Sequence, residues 1–257
     1  MEKPKLIFKY RSVSTLKELV RIRDIVQNNQ LYLPTIPQLN DPFEGIINVS
    51  FAIPGSSITR ALDHDFSPVI QRKQKTRLLS LSEDCFSPQL WAYYCNDYHG
   101  VCLCFRTDKT FGAIQRVSYP DLIDVGETIR NPEPDVIYKL IRESLLRKQA
   151  GWKYEHEWRM IFQPDLNEDG MEKNDAPSKL IIDADELVGV IVGDKLSEEE
   201  KKTIRDIVPN HIKMFVVHTG ALSGKVELLE DGYIYRGYGK PDYICTVDAL
   251  YDRIFAE

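Results

Sequence analysis

Hydrophobic positions along the chain fall into short blocks whose spacing switches between two and three or four, as it does when strands alternate with helices. Leu6–Tyr10 predicts a first strand. Leu16, Leu19, Val20 and Val26 then recur at helical spacing behind a Ser14 or Thr15 cap, and Asn28-Asn29 closes that helix. Leu31-Tyr-Leu33 reads as a second strand and leads into Thr35–Gly45, a segment dense in turn formers. Arg77–Ser82 is the next strand. Ser87-Pro88 opens a helix with Trp91, Tyr94 and Tyr98 on one stripe, ending at Gly100. Val101–Arg106 is apolar enough for a strand buried on both faces. A helix is expected near Val136–Gln149 and a strand in the second half of Trp152–Phe162. Val188–Val192, Ser197–Val208 and Ile212–His218 form a strand–helix–strand unit, its helix announced by the capping box Ser197-x-x-Glu200. Two short strands flank Glu230–Tyr233, and Thr246 caps a final helix.

This order predicts an α+β fold, a mixed or antiparallel sheet core with flanking helices and a C-terminal strand–helix–strand unit. No internal repeat and no Pro-, Gly- or Ser-rich linker divides the chain. Residues 1–257 therefore read as a single domain, with 180–257 as a C-terminal subregion.

The longest apolar runs are far shorter than the roughly 18 residues a membrane span needs, and Met1–Leu6 has no apolar signal region. A soluble cytoplasmic protein with no membrane partner is expected. The net charge of −6 is uneven. Residues 1–130 carry 16 Lys/Arg against 14 Asp/Glu, and residues 131–257 carry 17 against 25. So acidic a second half argues against a long nucleic-acid duplex, which rewards clustered cations. Cys85, Cys95, Cys102, Cys104 and Cys245 are an odd set without an export signal, so no disulfide framework is expected. Cys102 and Cys104 alternate on a strand and read as small core residues.

Candidate chemistry concentrates at Tyr154-Glu-His-Glu-Trp-Arg159. Glu155 and Glu157, one residue apart at a strand edge, would project to one face; such crowding shifts a pKa or demands a cation. A surface strand with both acids solvated and Arg159 as salt-bridge partner is the plainer alternative. By alternation His156 points away. Asn40-Asp-Pro-Phe-Glu44 is a substrate-loop candidate through Asn40, Asp41 and Glu44, or simply a turn plugged by Phe43. His99 is either a cation at a helix C-terminus or a ring that contacts a nucleotide. His64, His211 and His218 lack ligand spacing, and no metal site is expected. No dinucleotide-binding, P-loop or nucleophile-elbow motif occurs.

Phe8-Lys-Tyr-Arg-Ser12 ends one strand with an arginine, Ser80-Leu-Ser82 ends another with two hydroxyls, and Glu155-His-Glu157 begins a third. In that order the three patches resemble the pattern of the ADP-ribosyltransferase fold. The resemblance implies an ADP-ribosyltransferase-like sheet with NAD as substrate. It gives Glu157 the catalytic part, Glu155 the orientation of an acceptor, and Arg11, Tyr10, Ser80, Ser82 and His99 the binding of NAD. A departure is that the serine strand reads Leu-Ser-Leu-Ser-Glu, not Ser-Thr-Ser. A second resemblance spans about residues 6–218. Tyr10-Arg11, Leu39-Asn-Asp-Pro-Phe-Glu44, Leu90-Trp-x-x-Tyr94, His99–Phe105 and Trp152-x-Tyr-Glu-x-Glu-Trp-Arg159 are similar to a large bacterial family known as the domain of unknown function numbered 2971. It implies a bacterial or phage source and brings no established chemistry.

These readings make the chain an NAD-consuming ADP-ribosyltransferase or NAD glycohydrolase, for instance a toxin or phage-defence effector. Its acceptor would be a protein, a nucleic acid or a small molecule, and a regulatory protein partner is compatible with that role. One rival is a divalent-metal-dependent hydrolase or nuclease using Asp41, Glu44, Glu155 and Glu157. Another is a non-catalytic protein-binding module. As a cleft carboxylate, Glu157 is expected to be dispensable for folding.

Overall fold

The computed structural model describes residues 2–51, 59–62, 67–121, 126–129, 134–167, 172–220, 224–231 and 242–256. In chain order the elements are β1 (Leu6–Ser12), α1 (Leu16–Asn28), β2 (Gln30–Tyr32), β3 (Asn48–Phe51), β4 (Thr59–Leu62), α2 (Ser67–Lys75), β5 (Arg77–Ser82), α3 (Pro88–Tyr94), β6 (Gly100–Arg106), β7 (Gln115–Arg116), β8 (Gly126–Ile129) and α4 (Pro134–Ser144). They continue with β9 (Glu157–Phe162), β10 (Asp165–Leu166), β11 (Glu172–Asn174), β12 (Lys179–Ile181), β13 (Leu187–Val192), α5 (Glu198–Ile207), β14 (Lys213–Gly220), β15 (Lys225–Glu230) and α6 (Val247–Phe255). Among the described residues no helix is long and apolar enough to cross a membrane.

An eight-stranded sheet in the order β15-β14-β13-β6-β1-β5-β9-β7 forms the centre of an α+β fold. Its neighbours are antiparallel except β13 and β14, which run parallel because α5 carries the chain across between them. Alternation then assigns each face a core. Ile7, Val101, Leu103, Phe105 and Val190 pack with Ile22, Ile25 and Val26 of α1 and Ile204 and Ile207 of α5. On the other face Leu6, Phe8, Tyr10, Cys102, Cys104 and Ile191 pack with Leu90 and Trp91 of α3 and Leu250 and Ile254 of α6. β6 is thus covered on both sides, as its unbroken apolar run requires, and Cys102 and Cys104 share one face. A third cluster joins Ile36, Ile47 and Leu78 to the apolar stripe of α4.

The helix caps act as the sequence specifies. Thr15 and Ser197 each close a capping box, and the Ser87 and Thr246 hydroxyls accept from Leu90 and Ala249 backbone N–H groups. Three expectations change. α3 stops at Tyr94, because Asn96, Asp97 and Tyr98 all adopt left-handed backbone (φ 46°, 56° and 68°) and return Tyr98 to stack on Trp91 at 5.7 Å. Gly193 makes this turn possible: a Cβ there would overlap the Tyr98 carbonyl oxygen. The helix expected to reach Gln149 ends at Ser144, whose hydroxyl donates back to the Ile141 carbonyl, while the Leu146 carbonyl accepts from the Ser118 N–H and the Lys148 N–H donates to the Ser118 carbonyl. Glu155 ends a 3-10 turn, Ala150–Glu155, and only Glu157 belongs to the strand; His156 between them is left-handed (φ 45°) and exposed. The strand expected after Tyr233, and His64, lie outside the described residues.

Candidate functional site

The sheet is not continuous at its middle. β1 pairs with β6 along its whole length and β5 does so with β9, yet β1 and β5 are in register only at Phe8 and Ser82. Beyond that pair the two strands part. A cleft of about 300 Å³ occupies the gap, lined by Lys9, Tyr10 and Arg11 on one wall and Ser80, Leu81 and Ser82 on the other. Glu44, Lys148, Glu155, Glu157 and Arg159 border the same cleft, and Asn40 and Tyr94 stand at its margin.

Cross-strand register sets Ser82 opposite Glu157 and Ser80 opposite Arg159. The Ser82 hydroxyl, buried, donates to the Glu155 carbonyl at 2.7 Å and fixes the turn that carries this acid. Ser80, two residues before Ser82 on β5, helps to favour the Glu157 anion. Arg159 is a fork between two acids. Its Nε and Nη2 donate to Glu157 at 2.8 Å each, and Nη1 and Nη2 donate to Glu44 at 2.8 and 2.6 Å. Lys148 joins all three carboxylates, at 2.6 Å to Glu155, 3.5 Å to Glu157 and 3.7 Å to Glu44. Tyr94 donates its hydroxyl to Glu155 at 2.6 Å. The five charged members of this network are all buried, and Tyr94 is half-buried.

The two neighbouring acids respond in opposite directions. Burial pushes Glu157 up, but the Arg159 guanidinium, with help from Lys148 and Ser80, overcomes it and holds the carboxyl down to about 2. Glu155 is raised, by burial first and by the Glu157 charge, with Lys148 and Tyr94 only partly offsetting them. Burial lowers Lys148, yet Glu157 and Glu155 raise it more, so it stays a cation. The site therefore holds a permanent anion beside an acid that can carry a proton. Two carboxyl groups pushed apart in this way divide into a charge stabiliser and an acid or base.

The second cationic wall lies on β1. Lys9 donates to the Ser80 carbonyl at 2.5 Å. Burial, then the Arg11 charge, depress its amine to about 7, against the raising effect of Glu157 and Glu155. Arg11 is lowered to about 10 by burial and by Arg21, so it remains charged, and its Nε is buried without a hydrogen-bond partner. Lys9, more than Arg11, is the cation that feels the acid pair.

Of the residues singled out from sequence, Arg11, Tyr10, Ser80, Ser82, Glu155, Glu157, Arg159, Asn40 and Glu44 line this one cleft. Tyr10 does so from the core: its hydroxyl donates to the Asp84 carbonyl and its ring meets Trp91 edge-on. Asp41 is not brought in. Its carboxylate accepts from the Phe43 N–H at 2.9 Å, closing the turn, and it borders a neighbouring hollow of about 360 Å³. His99 is also outside the cleft, its Nδ1 3.1 Å from the Asn96 carbonyl and its own carbonyl accepting from Val13, because the left-handed turn carries it past the cleft. Sequence reasoning missed Lys9, Lys148 and Tyr94. Lys9 could have been found as the first of two cations alternating at the end of β1, and Tyr94 lies on the aromatic stripe of α3, which carries no sign of its hydroxyl's partner. Lys148 follows α4 with nothing in its neighbours to mark it. Among the described residues, no group of three or more His, Cys, Asp or Glu is arranged to hold a metal ion. No family model, curated protein or solved structure matches the chain.

Proposed function

We propose that the chain consumes NAD, breaking the nicotinamide–ribose bond and passing ADP-ribose to an acceptor or to water. The observation that carries this reading is the meeting of Arg11, Ser80, Ser82, Glu155 and Glu157 in one cleft where β1 and β5 part. Cleaving this bond builds positive charge on the ribose, as in glycoside hydrolysis. Glu157, held anionic by Arg159, supplies the opposite charge at a fixed position without reorganising. Glu155 takes the proton of the attacking acceptor or water, a part that needs a raised carboxyl. The free Arg11 Nε and the charge of its guanidinium suit a phosphate of the diphosphate. A cleft of about 300 Å³ takes the nicotinamide riboside end and leaves the adenosine end outside. The metal-dependent alternative is less well supported, since Asp41 lies in another hollow and Glu44 and Glu157 are both engaged by Arg159.

The test is nicotinamide release from NAD by the purified protein, with and without EDTA, and by Glu155→Gln. Release that resists EDTA and falls on the order of a hundredfold in the variant is expected. Release abolished by EDTA, or absent from the wild type with every class of acceptor supplied, overturns the reading.

A further inference from the structure

Lys9 stands apart from the other cleft cations. Lys148 and Arg159 are each bound to two or more carboxylates, whereas the Lys9 ammonium meets a carbonyl oxygen, that of Ser80. The groups acting on it from every side are Arg11 on its own strand, Arg159 and Glu157 on β9, and Glu155 on the 3-10 turn. The cations and burial outweigh the acids, so near neutral pH a large share of Lys9 is the free amine. Such an amine in a cleft is a nucleophile toward carbonyl carbon. Two residues along the same strand, Arg11 offers a charged guanidinium with a buried, unpartnered Nε. Glu155, whose carboxyl is raised, is the proton carrier on the opposite side.

We propose that Lys9 is a carbonyl-condensing amine and that its partner is a phosphorylated reducing sugar, the open-chain aldehyde meeting Lys9 while Arg11 holds the phosphate. The amine nitrogen adds to the aldehyde carbon to give a carbinolamine. The former carbonyl oxygen then leaves as water with the two amine hydrogens, relayed through Glu155, and a carbon–nitrogen double bond remains. No oxidant or metal is needed. This chemistry does not depend on NAD cleavage, although ADP-ribose, the hydrolysis product of NAD, is itself such a sugar.

The experiment is reductive trapping. The full chain is incubated with sodium cyanoborohydride and either ribose 5-phosphate or ribose, then analysed by intact mass and peptide mapping. A single reduced adduct on Lys9 is expected, formed about tenfold faster with the phosphorylated sugar. Its rate should level off near pH 7, while labelling of surface lysines keeps rising toward their ordinary value of about 10.4. Arg11→Gln should bring the two sugars to one rate; if that variant fails to fold, the comparison of sugars on the wild type still decides. Labelling spread evenly over surface lysines, or none at Lys9, overturns the proposal. Equal Lys9 labelling by both sugars overturns the phosphate assignment. NAD turnover measured on the same preparation is a separate readout, so failure of one leaves the other standing.

Discussion

Replacing Glu157 with Gln removes one charge from the centre of a network whose cations, Arg159 and Lys148, are 1% and 4% exposed. Taking one partner from a fully buried pair costs about 3–5 kcal/mol, because the remaining ion has no water to turn to. Here Arg159 keeps its bidentate pairing with Glu44 and a bond to the Leu145 carbonyl, which places the loss at the lower end, about 3 kcal/mol. In a chain of this length that is a fall in Tm of about 10 °C. The titration of the same carboxyl points the same way. The Glu157 carboxyl stands at about 2 in the folded chain against an ordinary 4.5, a difference worth about 3 kcal/mol. A depressed carboxyl contributes stability that is present above its unfolded value and lost as pH falls through the folded one. The gap between wild type and variant should therefore be full at neutral pH and begin to close below about 4.5, vanishing toward 2. Urea unfolding at neutral pH and melting curves across the acid range check both parts. A variant within about 0.5 kcal/mol of wild type at neutral pH, or a gap that stays constant on acidification, refutes the buried-pair account. In the cleft Glu157 is paired with both Arg159 and Lys148, so in place of an acid dispensable for folding the geometry predicts one whose removal costs measurable stability.

Glu155→Gln should cost clearly less, about 1 kcal/mol, because Glu155 lacks the bidentate Arg159 pairing that holds Glu157, and Lys148 retains Glu157 and Glu44; a loss equal to that of Glu157→Gln in urea unfolding would contradict the division between the two acids. Tyr94→Phe removes a donor that favours the Glu155 anion, so the Glu155 carboxyl should titrate higher still in carbon-detected NMR, and an unchanged or lower value would count against the bond. Gly193→Ala forces a methyl group onto the Tyr98 carbonyl and should lower stability by at least about 2 kcal/mol, with the near-ultraviolet dichroism of the Trp91–Tyr98 stack altered; a neutral effect would mean that the left-handed turn is adjustable.

Much of the fold was legible because its determinants are local. The capping boxes at Thr15 and Ser197, the Ser87-Pro88 helix start and the apolar run of β6 each fix an element within a few residues of chain. The early end of α3 was hidden, since it depends on Gly193, almost a hundred residues downstream, accepting the Tyr98 carbonyl. The residues lining the cleft were legible on the strands, at Arg11, Ser80, Ser82 and Glu157, and at Glu155 in the turn just before β9. Lys148 was not, because a lysine after a helix is normally a solvated charge and only the tertiary fold buries this one against three carboxylates. Asp41 and His99 were overread for the converse reason. Their sequence neighbours suggested chemistry, while local turn hydrogen bonds account for both.

The parting of β1 from β5 explains why so many charges can be buried in one place. A continuous antiparallel pair would satisfy its backbone groups across the gap and leave no room for side chains. Here the Ser80 carbonyl takes its hydrogen bond from the Lys9 ammonium instead, so a side chain replaces a ladder bond and its charge is drawn into the sheet. Lys9, beside Arg11 on β1, then adds its charge to those of Arg159 and Lys148 in a cleft that also holds Glu44, Glu155 and Glu157. When Lys9 gives up its proton near pH 7, Glu157 and Glu155, the acids that act on it, lose a counter-charge, and of the two it is Glu155 whose carboxyl is raised. Deprotonation of Lys9 thereby favours protonation of Glu155, which couples an amine ready to attack with an acid ready to donate.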